Sequence, residues 1–230
     1  VNLTQRPAAP APAAVDLGFA VTGVEPQRFA SLPTLSFHLE ITRSGGGPVR
    51  SISLTTAIRI AVTGRRYSAD EQRALAELFG TPERWGTTLR PLAWAQTTLT
   101  VPPFEDSTTV ELTVPCGYDT ELAVTKYLRA VREGEVPLDF LFSGTVFFTT
   151  PQGLLSTARI SWARQTACRL PAALWHELMD RYYGESPWLR LSPDTYELLD
   201  GYRSRRMLTG WDETVRHLLA QAAADPGRTP

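Results

Sequence analysis

The sequence predicts an α+β fold: an antiparallel β-sandwich or strongly curved sheet of about eight strands, with one inserted helix and three C-terminal helices packed on one face. Three observations carry this. Apolar residues recur at alternate positions through residues 15–162, the pattern of half-buried strands. After Arg169 the apolar spacing lengthens to that of helices. Turn-forming segments such as Gly45-Gly46-Gly47-Pro48 and Thr150-Pro151-Gln152-Gly153 fall where strands must reverse.

The first strand carries Val15, Leu17, Phe19 and Val21 on one face. The second carries Leu35, Phe37, Leu39 and Ile41, and the third Ile52, Leu54, Ile58, Ile60 and Val62. A helix then interrupts the strands. Ser68 and Glu71 have capping-box spacing, Leu75, Leu78 and Phe79 form an apolar face, and Gly80 supplies the stop. Residues 81–91 read as a connection carrying Trp85. Strands resume at 95–101 and 108–114, separated by Pro102 and Pro103, which cannot donate to a ladder.

A hairpin is expected next, with strands at 122–131 and 136–149 turning at Glu133-Gly134. A return strand at 154–162 follows and carries Ile160 and Trp162. The strand at 136–149 has apolar groups on both faces, Phe140 and Phe142 on one, Leu141 and Phe147 on the other, so cover on both sides is expected. The helices supply the second cover. Leu174, Trp175, Leu178, Met179 and Tyr182 make one stripe. Ser192-Pro193 opens a second helix bearing Leu198, Leu199 and Tyr202. Trp211, Val215, Leu218, Leu219 and Ala222 form a third, closed by Asp225-Pro226-Gly227. The expected organisation is a Pro/Ala-rich tail at 1–14, one domain at 15–224 (mainly β over 15–163, helical over 170–224) and a second tail at 225–230.

Composition narrows function by exclusion. The formal net charge of −1 argues against a general nucleic-acid binder. The longest apolar stretch, Phe140 to Phe148, falls short of the roughly 20 residues a membrane span needs. The first residues lack the apolar core of a signal peptide, so a cytoplasmic protein is expected. Cys116 and Cys168 are too few for a disulfide framework or a four-thiolate metal site. No G-x-x-x-x-G-K-S/T or G-x-G-x-x-G loop is present, and Ser143-Gly144 lies within a strand rather than in a nucleophile elbow.

No catalytic, cofactor-binding or metal-binding residue is therefore assigned, and no cofactor. His38, His176 and His217 read as structural or exposed. Cys116 reads as a buried thiol, reactive only if a neighbouring cation lowers its pKa. Glu133 and Glu135 read as a solvated turn. Arg203, Arg205 and Arg206 read as complements to a helix dipole. Trp188 and Trp211 are candidate partner anchors if exposed. Lys126, the single lysine, is expected to be structural, its ammonium meeting Asp139 diagonally across the hairpin.

Several segments together resemble an actinobacterial family known as a domain of unknown function. They are Pro82-Glu83-Arg84-Trp85-Gly86 with Leu89-Arg90-Pro91, Val101-Pro102-Pro103-Phe104, Val114-Pro115-Cys116, Thr125-Lys126-Tyr127, and the run from Phe140 to Phe147. The resemblance covers roughly residues 35–219. It implies encoding beside uptake nickel–iron (NiFe) hydrogenase genes, and it brings no catalytic residue to carry over. The functional expectation is a non-enzymatic accessory protein that binds another protein, a hydrogenase component in that context, and supports assembly or maturation. Two alternatives stand beside it. One is an enzyme with a pocket between sheet and helices, built from Cys116, His38 or Asp119. The other is an export holdase chaperone.

Overall fold

Alternation of apolar and polar side chains builds two open antiparallel sheets. The computed structural model describes residues 15–45, 47–117, 122–184 and 191–224. In the first sheet β1 (Asp16–Pro26) pairs with β2 (Thr34–Ser44), and β2 pairs with β5 (Ser107–Pro115). In the second, β4 (Leu92–Val101) pairs with β3 (Val49–Ile60), and β3 with the long β6 (Glu135–Thr149). The far edge of β6 is taken by β7 (Leu155–Arg159) and then β8 (Gln165–Pro171). The number of strands and the antiparallel sandwich match the sequence prediction, although the strand expected at 122–131 is not among the eight and β8 was not expected.

The inner faces meet in one apolar core. Phe19 of the first sheet stacks on Phe142 of the second at 4.3 Å, and Phe37 meets Phe140 edge-on at 5.2 Å. Leu35, Leu39 and Ile41 belong to the same buried apolar cluster as Ile52, Leu54 and Ile58. Each such side chain contributes about 1.5–3 kcal/mol by leaving water.

Gly144 shows how one strand serves two partners. Residues 135–141 of β6 pair with β8 and residues 145–149 with β7. Between them the Gly144 carbonyl accepts from Ile160 N at 3.0 Å. Its φ is 141°, and a Cβ there would lie 2.0 Å from the Ser53 carbonyl oxygen. Only glycine lets β6 pass this close to β3.

Three helices interrupt the strands, where one was expected. The first, α1 (Ala69–Phe79), has the predicted capping box between Ser68 and Glu71. The second, α2 (Trp85–Thr88), is a single turn within the predicted connection. The third, α3 (Leu122–Ala130), replaces the expected strand at 122–131. Val124, Tyr127, Leu128 and Val131 are buried, which is helical spacing, and burial against α1 decides the matter. The Glu133-Gly134 turn thus joins a helix to β6, not two strands, and the predicted pairing of Lys126 with Asp139 does not form. Lys126 Nζ meets Glu77 Oε1 of α1 at 2.5 Å, while Asp139 is held by Arg59 of β3 at 3.0 Å.

The return strand is also shorter than predicted. β7 stops at Arg159, Trp162 is 90% exposed in the following turn, and β8 lies mostly between the expected β region, ending at 163, and the expected helical region, starting at 170. On the outer face of β6, Leu141 and Phe147 are half-buried rather than covered.

The described residues fall into two compact units, divided at residues 185/186. The sheets and α1–α3 belong to the first, with α4 (Ala172–Tyr183), which packs beside β8, β1 and α3. The second is a helical hairpin of α5 (Pro193–Arg206) and α6 (Trp211–Ala224). Ser192 caps α5 as its sequence predicts, its Oγ accepting from Thr195 N at 3.3 Å. The hairpin is held by Tyr202 Oη against His217 Nδ1 at 2.7 Å and by the Arg203 guanidinium 4.3 Å from the Trp211 ring centre.

Candidate functional site

The segment after β3 turns through residues 62–64 and brings Arg65, Arg66 and Tyr67 just ahead of α1. Glu71 organises this segment. Its Oε2 accepts from Ser68 N at 2.8 Å, closing the capping box, and its Oε1 accepts from Arg65 Nη2 at 2.7 Å. The two paired side chains are only 12% and 11% exposed. Arg65 also lies 5.2 Å from the centre of the Tyr67 ring. Tyr67 Oη donates to the Val62 carbonyl at 2.5 Å, so its oxygen accepts from Tyr127 Oη of α3 at 2.8 Å. Burial raises both phenol pKa values, and donating to Tyr67 raises Tyr127 further. Both hydroxyls stay neutral, and the pair ties the Arg65–Arg66 segment to α3.

The opposite wall comes from the end of α3. Val131 N donates to the Tyr127 carbonyl at 3.1 Å, and the Val131 carbonyl lies 2.9 Å from His176 Nε2 of α4. These bonds fix the backbone that carries Arg129 and Arg132. Gly134, with φ at 72°, then turns the chain into β6.

Three open clefts adjoin along this side of the first unit. A cleft of about 490 Å³ lies between Tyr67, Trp85 and Leu89 and includes Arg65 and Arg66. One of about 850 Å³ runs between α1 and the end of α3, lined by the same two arginines and by Arg129, Arg132 and Glu133. A third, about 680 Å³, is bounded by Arg129, Arg132, Trp175, Glu177 and Asp180. Shared arginines at both junctions make the three one trough. Arg66 and Arg132 are exposed and have no ion-pair partner among the described residues. Exposed guanidinium forks suit carboxylate oxygens.

The residues singled out in sequence lie elsewhere or play structural parts. Cys116 is buried, its Sγ 3.3 Å from the Val114 carbonyl, and burial pushes its thiol up to about 12. His38 sits opposite Glu111 in the β2–β5 register and lies 3.5 Å from Glu25. Asp119 and Trp188 lie outside the described residues. Glu133 enters the trough, while Glu135 faces Arg169 at 3.8 Å. Arg203 pairs with Asp200 at 2.8 Å, the Arg206 guanidinium lies 5.9 Å from the centre of the Tyr202 ring, and Arg205 lies beside Gly201. Trp211 is 36% exposed and packs on Tyr196. Among the described residues no group of three or more His, Cys, Asp or Glu side chains is placed to hold a metal ion. No helix among them is long and apolar enough to cross a membrane.

The trough itself escaped the sequence reading. Its signals were the Arg65-Arg66 doublet just before a capping box and the Arg129/Arg132 spacing at a helix end. The second was hidden once that helix was read as a strand.

Residues 14–227 match the Family of unknown function (DUF6084). No curated protein matches the chain. Among solved structures, the chain is similar to the putative ApaA protein from Bordetella pertussis. Identity is 11%, coverage is 70% of this chain and 96% of that one, and the TM-score is 0.27. It is also similar to a beta-glucosidase from Kluyveromyces marxianus at 8% identity, covering 68% of this chain and 15% of that one, with a TM-score of 0.23. Similarity at these scores carries no argument about fold or activity.

Proposed function

The chain belongs to this family, whose description assigns no activity, and we propose that it is a non-enzymatic accessory protein that docks a protein partner in the arginine-lined trough. The observation that carries the proposal is the trough itself. Its clefts are open, they are bounded by hydrogen-bonded backbone, and they present exposed Arg66 and Arg132, which have no ion-pair partner among the described residues. Preformed surfaces of this kind bind with little ordering cost.

The resemblance to an actinobacterial family encoded beside uptake hydrogenase genes supplies the context: cytoplasmic assembly or maturation of a nickel–iron (NiFe) hydrogenase. The enzyme reading draws no support from Cys116, because a thiol with a pKa near 12 is a poor nucleophile at neutral pH.

Deleting the gene in its native host, with tagged protein recovered from the parent strain, tests the proposal. A lowered hydrogenase activity, with a hydrogenase component enriched on the tag, is expected. Unchanged activity with unchanged subunit levels overturns the assignment.

A further inference from the structure

We propose that α5 docks antiparallel on α5 of a second copy of this chain, so that the helical units of two chains pair about a two-fold axis. The proposal concerns the helical unit alone and does not depend on the arginine-lined trough.

The hairpin of α5 and α6 has almost no core. No residue of α5 is buried, and in α6 only Thr214 is. The side that α5 turns to α6 is well defined. Tyr196 and Arg203 meet Trp211, and Tyr202 meets His217. Away from those contacts, Asp194, Leu198, Gly201 and Arg205 recur at helical spacing and make one stripe. Leu198 is 75% exposed, and Asp194 and Arg205 are exposed beside it.

Charge selects what covers the stripe. Asp194 stands in the first turn of α5, and Arg203, Arg205 and Arg206 stand in the last. Arg203 is committed to Asp200, and the Arg206 guanidinium lies by the Tyr202 ring. Asp194 and Arg205 have no ion-pair partner among the described residues. The stripe thus runs acid, leucine, glycine, base, and it is its own complement when reversed. A two-fold axis midway between Leu198 and Gly201 sets Asp194 against the partner's Arg205 and Leu198 against the partner's Gly201, each twice. A parallel copy would set acid on acid and base on base, which repels. The spacing of four, three and four residues is that of a coiled-coil seam.

Gly201 is an independent observation pointing the same way. It lies inside α5 with ordinary helical backbone, where glycine weakens a helix. A Cβ there would crowd Arg205 Nη1, at 3.2 Å. That atom is the free end of a flexible side chain, so no contact among the described residues requires glycine at this position. A closely approaching helix does, because without a side chain at 201 the partner's Leu198 reaches the backbone. On docking, Arg205 leaves Gly201 for the partner's Asp194 and uncovers the hollow. One helix face is small against a standard interface, so half-association at about 10–100 µM is expected.

Sedimentation equilibrium of the full chain over about 1–300 µM tests this. The average mass is expected to rise from that of the 25.4 kDa chain toward twice that value, and to rise less in about 0.5 M salt. Asp194→Arg and Arg205→Asp should each weaken association about tenfold, and the double variant Asp194→Arg/Arg205→Asp should restore it. Gly201→Glu supplies a better helix former and an i,i+4 partner for Arg205. It should raise the helix content of the hairpin, read by circular dichroism, while weakening association about tenfold or more. That opposition separates a lost interface from a misfolded helix.

A monomer at every concentration overturns the proposal, and so does a dimer indifferent to these substitutions. Undiminished association in Gly201→Glu overturns it as well. Single reversals that weaken association with no recovery in an equally helical double variant remove the antiparallel pairing, and the proposal with it.

Discussion

Glu71 joins the helix cap to the trough, so its removal tests how the arginine wall is held. Glu71→Ala takes away the acceptor of Ser68 N and leaves the Arg65 guanidinium, only 12% exposed, without its counter-charge. Losing a cap costs about 0.5–2 kcal/mol. Breaking a fully buried pair costs about 3–5 kcal/mol. Arg65 keeps two weak carbonyl contacts, to Arg66 at 3.2 Å and Glu135 at 3.4 Å, and its place by the Tyr67 ring. These compensate part of the loss, so a total of about 3 kcal/mol is expected. For a unit of this size that corresponds to a fall of about 6–12 °C in Tm. Glu71→Gln keeps an oxygen for Ser68 N and loses only the charge, so about 1–2 kcal/mol is expected. Adding Arg65→Met to Glu71→Ala should return part of the stability, because the stranded charge is gone. The assay is denaturant unfolding followed by tryptophan fluorescence, which reports the sheet-bearing unit through buried Trp85, Trp94 and Trp175. A loss below about 1 kcal/mol in Glu71→Ala, or a double variant no better than the sum of the singles, refutes the reasoning.

Two further outcomes follow from buried polar groups. Thr56 Oγ1 in β3 is fully buried with no hydrogen-bond partner among the described residues, so Thr56→Val, which keeps the β-branched shape, should stabilise by about 1 kcal/mol in the same unfolding assay; a destabilised variant shows that the hydroxyl has a partner. The Cys116 thiol pKa is raised from 9.0 to about 12 by burial, so its contribution to stability is fully present below about pH 9 and is lost as pH rises through about 12. Accordingly, native protein at pH 8 should react with a thiol reagent at half-buried Cys168 first, and a Cys168→Ser variant that still reacts rapidly contradicts the burial of Cys116.

The strands were legible because each carries its own period. In β2, Leu35, Phe37, Leu39 and Ile41 are fully buried, and their alternation needs no knowledge of what covers them. Helix α1 was legible for a similar reason, since Ser68, Glu71 and Gly80 mark both its ends within twelve or so residues. The stretch 122–131 offered no such marks. Its apolar residues come in blocks, so they satisfy a strand and a helix alike, and the deciding fact is nonlocal: Tyr127 is fully buried with its hydroxyl on Tyr67. Misreading that stretch moved Lys126 from Glu77 to Asp139 and turned a helix-to-strand link into a hairpin.

The same error concealed the trough, and its physical reason is general. A candidate site is easy to find in sequence when one segment carries all its chemistry at fixed spacing, as a metal-binding helix does. Here the chemistry is divided. Arg65 and Arg66 precede α1, and Arg129 and Arg132 follow from α3. Each pair taken alone looks like the solvated end of a helix. What distinguishes them is that Tyr67 and Tyr127 bond across the gap and that His176 holds the backbone beneath Arg132. The phenols and the imidazole, which suggested no chemistry in sequence, are the groups that place the arginines.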